Sequence, residues 1–386
     1  MLNFKVIGCG AAGNKAAICL HKAGFDLKNI TLINSTPKDI PADYRNNSII
    51  FGVHNGSALG GCGKERDVGR RLIIDDMKNG QINIDSVVDA TTNTAIIVSS
   101  TEGGSGSGIT PLLAKYIHEV LNIPVIVVLF FGFNTDVRGM QNSIEICQEL
   151  QNNYGVIGIS NAKYLDEANG NKIKAEQMAN EEFCKIIRIL CGQDIKEGTQ
   201  NIDDTDLYKL VVTPGYMCVG TASLKGVKNI DMFNKVVNMA IDESHLVETT
   251  TKSAKRIGAI FNIPSSMSDS VDYNAEVLSQ RYGNPYEMFT HVQDTSESAS
   301  VSWISAGMAL PIDEVKEIFE NYKKATEKVH KSTDDFFSVI QNFKGDQQDG
   351  MFNMLSDARR TPTVSNAAKN SFFSVYEDEP KTPAKK

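Results

Sequence analysis

Between an apolar run at 95–98 and a helix that begins near Pro111, the chain places four glycines and two serines in the six positions 103–108. So few side chains leave almost nothing to pack into a core. What remains is backbone N–H groups able to point at an anion, with two hydroxyls beside them. A flexible linker shares this composition, but a linker is not usually set between a buried strand and a capped helix. The N-terminus repeats the layout: a strand Phe4-Lys5-Val6-Ile7, a tight loop Gly8-Cys9-Gly10-Ala11-Ala12-Gly13-Asn14, and a helix at 15–23 ended by Gly24. Gly8, Gly10 and Gly13 have the spacing of a dinucleotide-binding turn. The acidic ribose partner expected after the second strand is missing, since Asn34-Ser35-Thr36 stands there. Taken alone, this first loop leaves a packing role open. Neither loop is a Walker A site: Gly63-Lys64 is followed by Glu65, and position 58 is alanine.

Around these loops strands and helices alternate. Strands are predicted at 4–7, 30–33, 48–53, 95–98, 125–131 and 156–159, and helices at 15–23, 111–121 and 143–152. The run 125–131 is wholly apolar and far too short to span a bilayer, so it reads as a buried strand. This order specifies an α/β fold with a doubly wound, mostly parallel sheet. From 171 to 191 the period becomes helical, with Ile173, Ala179, Phe183, Ile186, Ile187 and Leu190 apolar and Gly192 as the stop. A second α/β region follows, with a helix at 236–246 and strands at 257–262 and 301–306. After Pro311 the positions Val315, Phe319, Tyr322, Val329, Phe336, Ile340 and Phe343 keep a 3.5-residue period, with Thr326 and Thr333 in the remaining slots. A surface helix packed along its own domain is preferred to a seam with a neighbouring subunit, because the threonines weaken a seam. From 345 the chain turns polar, which predicts a disordered tail. The expected divisions are 1–170, 171–198, 199–310, 311–343 and 344–386.

Composition narrows the function. Of 386 residues, 41% are hydrophobic and 22% charged, as in a folded protein. The 39 basic and 47 acidic residues net −8, against a large phosphate-tracking surface. Residues 344–386 hold seven basic and six acidic side chains, so the tail nets +1 and the body −9. Direct DNA wrapping by the body is excluded; a DNA role through the tail is not. Seven cysteines with no CxxC pair read as free thiols rather than a disulfide framework or a zinc site. The N-terminus has no leader character, which predicts a cytoplasmic chain without membrane contact.

Two Gly-rich strand–helix loops without a Walker lysine resemble the tubulin/FtsZ family. Gly103-Gly104-Ser105-Gly106-Ser107-Gly108 matches its GGTGSG-like signature with serine for threonine. The resemblance orders other segments over about 1–310. Gly10, Ala11 and Asn14 fall in the first nucleotide loop. The stretch 59–70 falls in the loop that senses the γ-phosphate. Asn134 and Arg138 fall in the ribose loop, and Asn161 and Asn180 at the base-reading positions. Asn201-Ile202-Asp203-Asp204-Thr205-Asp206 matches an NxDxxD stretch that reaches the next subunit's γ-phosphate, which makes Asn201, Asp203 and Asp206 the implied catalytic set.

The resemblance therefore implies GTP/GDP and Mg²⁺ as bound groups, no protein metal cluster, and hydrolysis completed by head-to-tail self-assembly. The long C-terminal helix and mixed-charge tail are most like the plasmid- and phage-encoded TubZ branch. That branch implies DNA segregation through a DNA-binding adaptor of TubR type, with DNA reached only indirectly. A division polymer of FtsZ type is the alternative, and a Rossmann-type NAD-dependent oxidoreductase a weaker one. Three departures stand out: Asn134 replaces a carboxylate, Glu176 an aromatic, and Glu102 the leading glycine, whose charge must point away from the phosphates.

Overall fold

A computed structural model describes residues 2–329 apart from 55–56, 59, 151–152, 250–252, 268–273 and 296–297. In chain order the elements are β1 (Phe4–Cys9), α1 (Gly10–Lys22), β2 (Ile30–Asn34), β3 (Ser48–Ile50), β4 (Val53–His54), β5 (Ser57–Ala58), α2 (Arg66–Lys78), β6 (Thr94–Ser100), α3 (Ser105–Lys115), β7 (Val125–Phe131), α4 (Val137–Glu149), β8 (Gly155–Ser160) and α5 (Lys172–Leu190). The second half follows with α6 (Asp204–Val211), β9 (Gly215–Ser223), α7 (Ile230–Asp242), β10 (Arg256–Asn262), α8 (Glu276–Tyr282), β11 (Glu287–Gln293), β12 (Ser300–Met308) and α9 (Ile312–Val329).

Among the described residues ten strands form one sheet, ordered β11-β10-β12-β9-β8-β7-β6-β1-β2-β3. From β9 to β3 every neighbour is parallel. Only β12 runs against its neighbours, β9 and β10. The two halves meet at β8 and β9, paired at Gly155–Gly215 and Val156–Tyr216. The expected mostly parallel α/β sheet is what forms. All of β7 and β8 is buried, because helices cover both faces of a parallel sheet.

Several helices begin earlier than their apolar period indicates. Asp136 caps α4 by accepting from Gly139 N, and Asn229 caps α7 by accepting from Met232 N. First turns after such caps are polar, so periodicity misses them. The starts of α1 at Gly10 and α3 at Ser105 lie inside the Gly-rich segments rather than at 15 and near Pro111. Pro111 sits inside α3 and has no N–H to give to Ser107 O, four residues back. The buried Arg66 guanidinium takes over, donating from Nε at 3.3 Å and Nη2 at 3.0 Å. The strand expected at 48–53 is split into β3 and β4 by Gly52, whose φ is +75°.

The long helix α5 forms as expected, capped by Asn171. Ile173 is 71% exposed rather than buried. It stands two residues, about 200° of helix, from the buried stripe Ala175, Ala179, Phe183, Ile187. In α9 the buried side chains are Ile318 and Tyr322, and the helix packs on α4 within its own chain. The continuation to 343 and the tail at 344–386 lie outside the described residues.

Candidate nucleotide site

Beside β1 the sheet has a switch point. The chain leaves β1 for β2 on one side, and leaves β6 for β7 on the other. Loops after adjacent strands that part in this way open a crevice at the carboxyl ends of the strands. Those two loops are the Gly-rich segments. They touch: a Cβ on Gly106 would lie 2.5 Å from Cys9 O, and one on Gly10, at φ +72°, would lie 2.8 Å from Gly106 N. Glycine is required there so that two backbones can meet.

The helices that start at this meeting are built unlike the others. Neither α1 nor α3 has a side-chain cap or an acid in its first turn. By contrast α4, α5, α6 and α7 are capped by Asp136, Asn171, Asp203 and Asn229. The uncapped α2 and α8 carry Asp67 and Glu276 in their first turns. Each helix start leaves up to four N–H groups without intrahelical partners and about half a positive charge. Two such starts side by side make an anion site.

The adjoining cleft, about 490 Å³ and open to solvent, is lined by Ala12, Lys15, Ser100, Glu102, Phe130, Gly132, Phe133, Asn161, Glu176 and Asn180. Asn161 and Asn180, 19 positions apart, thus share one cleft. The Oδ1 atoms of Asn161, Asn134 and Asn14 are buried without a hydrogen-bond partner in the protein. Asn14 lies under the first loop, its Nδ2 3.4 Å from Ile33 O. Ala11 is in the first turn of α1. The two hydroxyls of the second loop are engaged internally: Ser105 with Ser35 Oγ at 2.7 Å, and Ser107 with Gly103 O. Gly103, Gly104 and Gly108 complete that loop, and Gly108 N returns to Gly104 O at 3.1 Å.

Glu102 points away from the second loop, toward the loop after β7. Its Oε1 accepts from Asn134 N at 2.7 Å, and its carboxyl lies where a Cβ on Gly132 would be. Burial pushes its pKa up, with the nearby Asp136 adding to the rise and Asn134 N opposing it. Arg138 is turned out of the cleft: it pairs with Glu65 and donates to Lys64 O and Gln141 Oε1.

The segment before α2 is clamped across the crevice. Lys64, at φ +64°, places Nζ 2.5 Å from Asp136 Oδ2. That ammonium, with Gly139 N, holds the Asp136 carboxyl below its ordinary range. Asn142 Nδ2 donates to both Lys64 O and Glu102 O at 3.0 Å. Behind them Arg66, 2% exposed, pairs with Glu145 at 2.8 Å and Glu149 at 3.0 Å.

Asn201, Asp203 and Asp206 are not in the cleft. They follow the opposite end of α5, where Gly192 sits against Leu207 of α6. Asn201 closes its own loop, accepting from Gly198 N at 2.9 Å and donating to Gly198 O at 3.0 Å. Asp203 is exposed and caps α6 through Asp206 N at 2.8 Å. Sequence reasoning did not single out Lys15, Ser100 and Phe133. Phe133 lies inside the recognised ribose segment 130–138, and Lys15 and Ser100 stand within two residues of a recognised loop, which was the available signal. Among the described residues no group of three His, Cys, Asp or Glu could hold a metal ion, all seven cysteines are free, and no helix is long and apolar enough to cross a membrane.

Comparison with known proteins places this geometry. Residues 3–169 match the Tubulin/FtsZ family, GTPase domain. Cell division protein FtsZ of Buchnera aphidicola subsp. Baizongia pistaciae is 25% identical over 273 residues, covering 69% of this chain and 68% of the relative. The structure of Clostridium botulinum phage c-st TubZ superposes with a TM-score of 0.64 at 18% identity, covering 85% of this chain and 98% of that one. A GTPγS-form protofilament of Bacillus thuringiensis serovar israelensis TubZ gives 0.70 at 18% identity, covering 85% and 93%. At these identities the structural likenesses establish the fold.

Proposed function

Residues 3–169 are a GTPase domain of the tubulin/FtsZ family, and from this premise we propose that the chain is a cytoplasmic, filament-forming GTPase whose active site is completed by the next subunit. One observation carries the reading. Two uncapped helix starts meet at the sheet's switch point, while the exposed Asp203 and the half-buried Asp206 of the implied catalytic stretch lie beyond the C-terminal end of α5.

The N–H groups that open α1 and α3 take the phosphate oxygens of GTP. The unpartnered Oδ1 of Asn161 is a ready acceptor for a guanine N–H, with Asn180 beside it, and Phe133 offers an aromatic face in the same cleft. Mg²⁺ would supply charge neutralisation at the phosphates. Asp203 or Asp206 of the following subunit would then hold water in line with the γ-phosphorus. A head-to-tail contact of this kind does not close on itself, so it yields open filaments. Hydrolysis is thereby coupled to assembly, and GDP weakens the contact.

GTP-dependent pelleting, with phosphate release followed against protein concentration, tests this. Turnover per subunit should rise steeply where pelleting begins. A concentration-independent rate, or no assembly with GTP, overturns it.

At the finer level we infer a segregation filament of TubZ type that moves plasmid or phage DNA through a DNA-binding adaptor held by the C-terminal region. The support is the acidic body joined to a tail of net +1. Removing 345–386 should leave GTP-driven assembly intact and abolish capture of the adaptor–DNA complex. Loss of nucleotide binding on truncation contradicts this. The relatives found by sequence include FtsZ proteins as well as tubulin-like CetZ proteins, so a division polymer is the second reading. Assembly at the division plane of a cell would favour it.

A further inference from the structure

The stretch that carries Asn201, Asp203 and Asp206 is held by a buried polar network on an edge strand. β11 ends the ten-stranded sheet, and residues 198–202 run along its open side. Thr199 N donates to Val292 O at 2.9 Å, and Val292 N to Gln200 O at 3.0 Å. A Cβ on Gly198 would lie 2.1 Å from Val292 O, so the approach requires glycine. Two polar side chains of β11 sit beneath this strap: His291, 1% exposed, and Gln293, 4% exposed.

Their bonds form a chain. Ile202 N donates to His291 Nδ1 at 3.2 Å. With Nδ1 accepting, Nε2 carries the proton and donates to Gln293 Oε1 at 2.8 Å. Gln293 Oε1 also accepts from Lys196 N at 2.7 Å, and its Nε2 donates to Asp194 O at 2.8 Å and Asn262 Oδ1 at 2.6 Å. The network therefore holds the strap at 194, 196 and 202, on both sides of Asn201. Burying polar side chains costs free energy even when they are paired, and apolar residues would fill an edge strand's inner face as well. What the polar pair adds is a fixed position for the backbone immediately before Asp203.

We propose that His291 and Gln293 are positioning residues for hydrolysis: they hold the strap so that Asp203 and Asp206 reach the neighbouring subunit's nucleotide in a reactive geometry. This rests on the role given above to those two aspartates. Displacing a catalytic group by about 1 Å costs on the order of 10²-fold in rate, so a loosened strap should slow turnover before it affects anything else. The cleft at the other end of α5 should be untouched.

The experiment uses the full chain assembled with GTP. Phosphate release per pelleted subunit, and affinity for a fluorescent GTP analogue, are measured for His291→Leu, His291→Asn, Asp203→Ala, Asp206→Ala and the double aspartate variant. His291→Leu should turn over at least tenfold more slowly with affinity unchanged within twofold. His291→Asn, whose side-chain oxygen can stand where Nδ1 accepted, should recover most of the rate. A parental rate in His291→Leu overturns the proposal, and so does equal impairment of both His291 variants. If Asp203→Ala, Asp206→Ala and the double variant also turn over at the parental rate, the reading of the carboxylates falls as well. If Asp203→Ala is slow and His291→Leu is not, only the positioning role falls. Should His291→Leu fail to fold, hydrogen exchange decides. The Ile202 amide should be protected in the parent and exchange faster in Gln293→Met. An Ile202 amide as labile in the parent as that of exposed Thr205 overturns the proposal.

Discussion

Beside the N-terminal half of α5, which carries Glu176 and Asn180 into the cleft, two helices begin without caps and the Oδ1 atoms of Asn161, Asn134 and Asn14 have no partner. At the Leu190 end the local chemistry is finished: Asn201 closes on Gly198, Asp203 caps α6, and His291 takes Ile202 N. The first end lacks something that a ligand of opposite charge supplies. At the second, none of Asn201, Asp203, His291 and Gln293 has a buried side-chain atom without a partner, and yet Asp203 stands exposed. Asn180 and Leu190 stand ten residues apart on this helix, about 15 Å along its axis. On the proposed reading, binding chemistry is preformed within one chain, whereas hydrolytic chemistry is divided between chains.

The strongest way to break this division is to remove the carboxylates. Asp203→Ala and Asp206→Ala should each bind GTP normally and assemble. Turnover should fall on the order of 10²-fold in the more important of the two, as expected for loss of a group that orients and polarises water. Pelleted filaments should then persist after GTP addition. Parental phosphate release in both single variants and in the double variant would place hydrolysis wholly within one subunit. The Asp203 change also removes the α6 cap, at about 1 kcal/mol. A thermal melt run beside the assay separates that loss from the kinetic one.

A smaller effect probes the bracing of the nucleotide end. Arg66 serves Ser107 O, Glu145 and Glu149 at once. Breaking a buried ion pair from one side costs 3–5 kcal/mol, and here both carboxylates can rehydrate at the surface. Arg66→Met should therefore lose about 3 kcal/mol in chemical denaturation. In a Pro111→Ala background the loss should shrink, because residue 111 then has an N–H for Ser107 O. Equal losses in both backgrounds would show that the proline and the arginine are not coupled.

This pair also shows where sequence reading stops. The alternation of strands and Gly-rich loops was legible because strand burial and helix starts are local, and with them the sheet, α5 and the segments that meet at the crevice. The start of α3 was not. It depends on Arg66, 41 positions before Ser107, replacing a bond that proline cannot make. Asn161 and Asn180 could be placed from their motifs, but the turn of Arg138 toward Glu65 depends on a partner 73 residues away. His291 and Gln293 gave no signal, since no strand is expected at 287–293 and their burial depends on the strap packed beside β11. The strand and α8 were both passed over because short, polar-rich elements have weak periods.

The smallest expected effect concerns Glu102, the acid that immediately precedes the second loop. Its carboxyl turns to Asn134 N, and burial raises its pKa. A raised carboxyl pKa means that the charged form is disfavoured in the folded state. Its contribution to stability is therefore fully present below the unfolded-state pKa and is lost as pH rises through the folded one. At neutral pH the charge faces a cleft that must accept phosphates. Glu102→Gln should therefore bind GTP a few-fold more tightly than the parent at pH 7.5. The advantage should narrow as pH falls through the raised pKa, because the parent then becomes neutral too. Comparing the two proteins at each pH removes the titration of GTP itself. If the affinity ratio stays constant with pH, the carboxylate exerts no electrostatic effect on the nucleotide. If Glu102→Gln binds more weakly, the acid contributes to binding through the backbone it holds at Asn134, and the nucleotide end is finished by an anion of its own rather than left open for one.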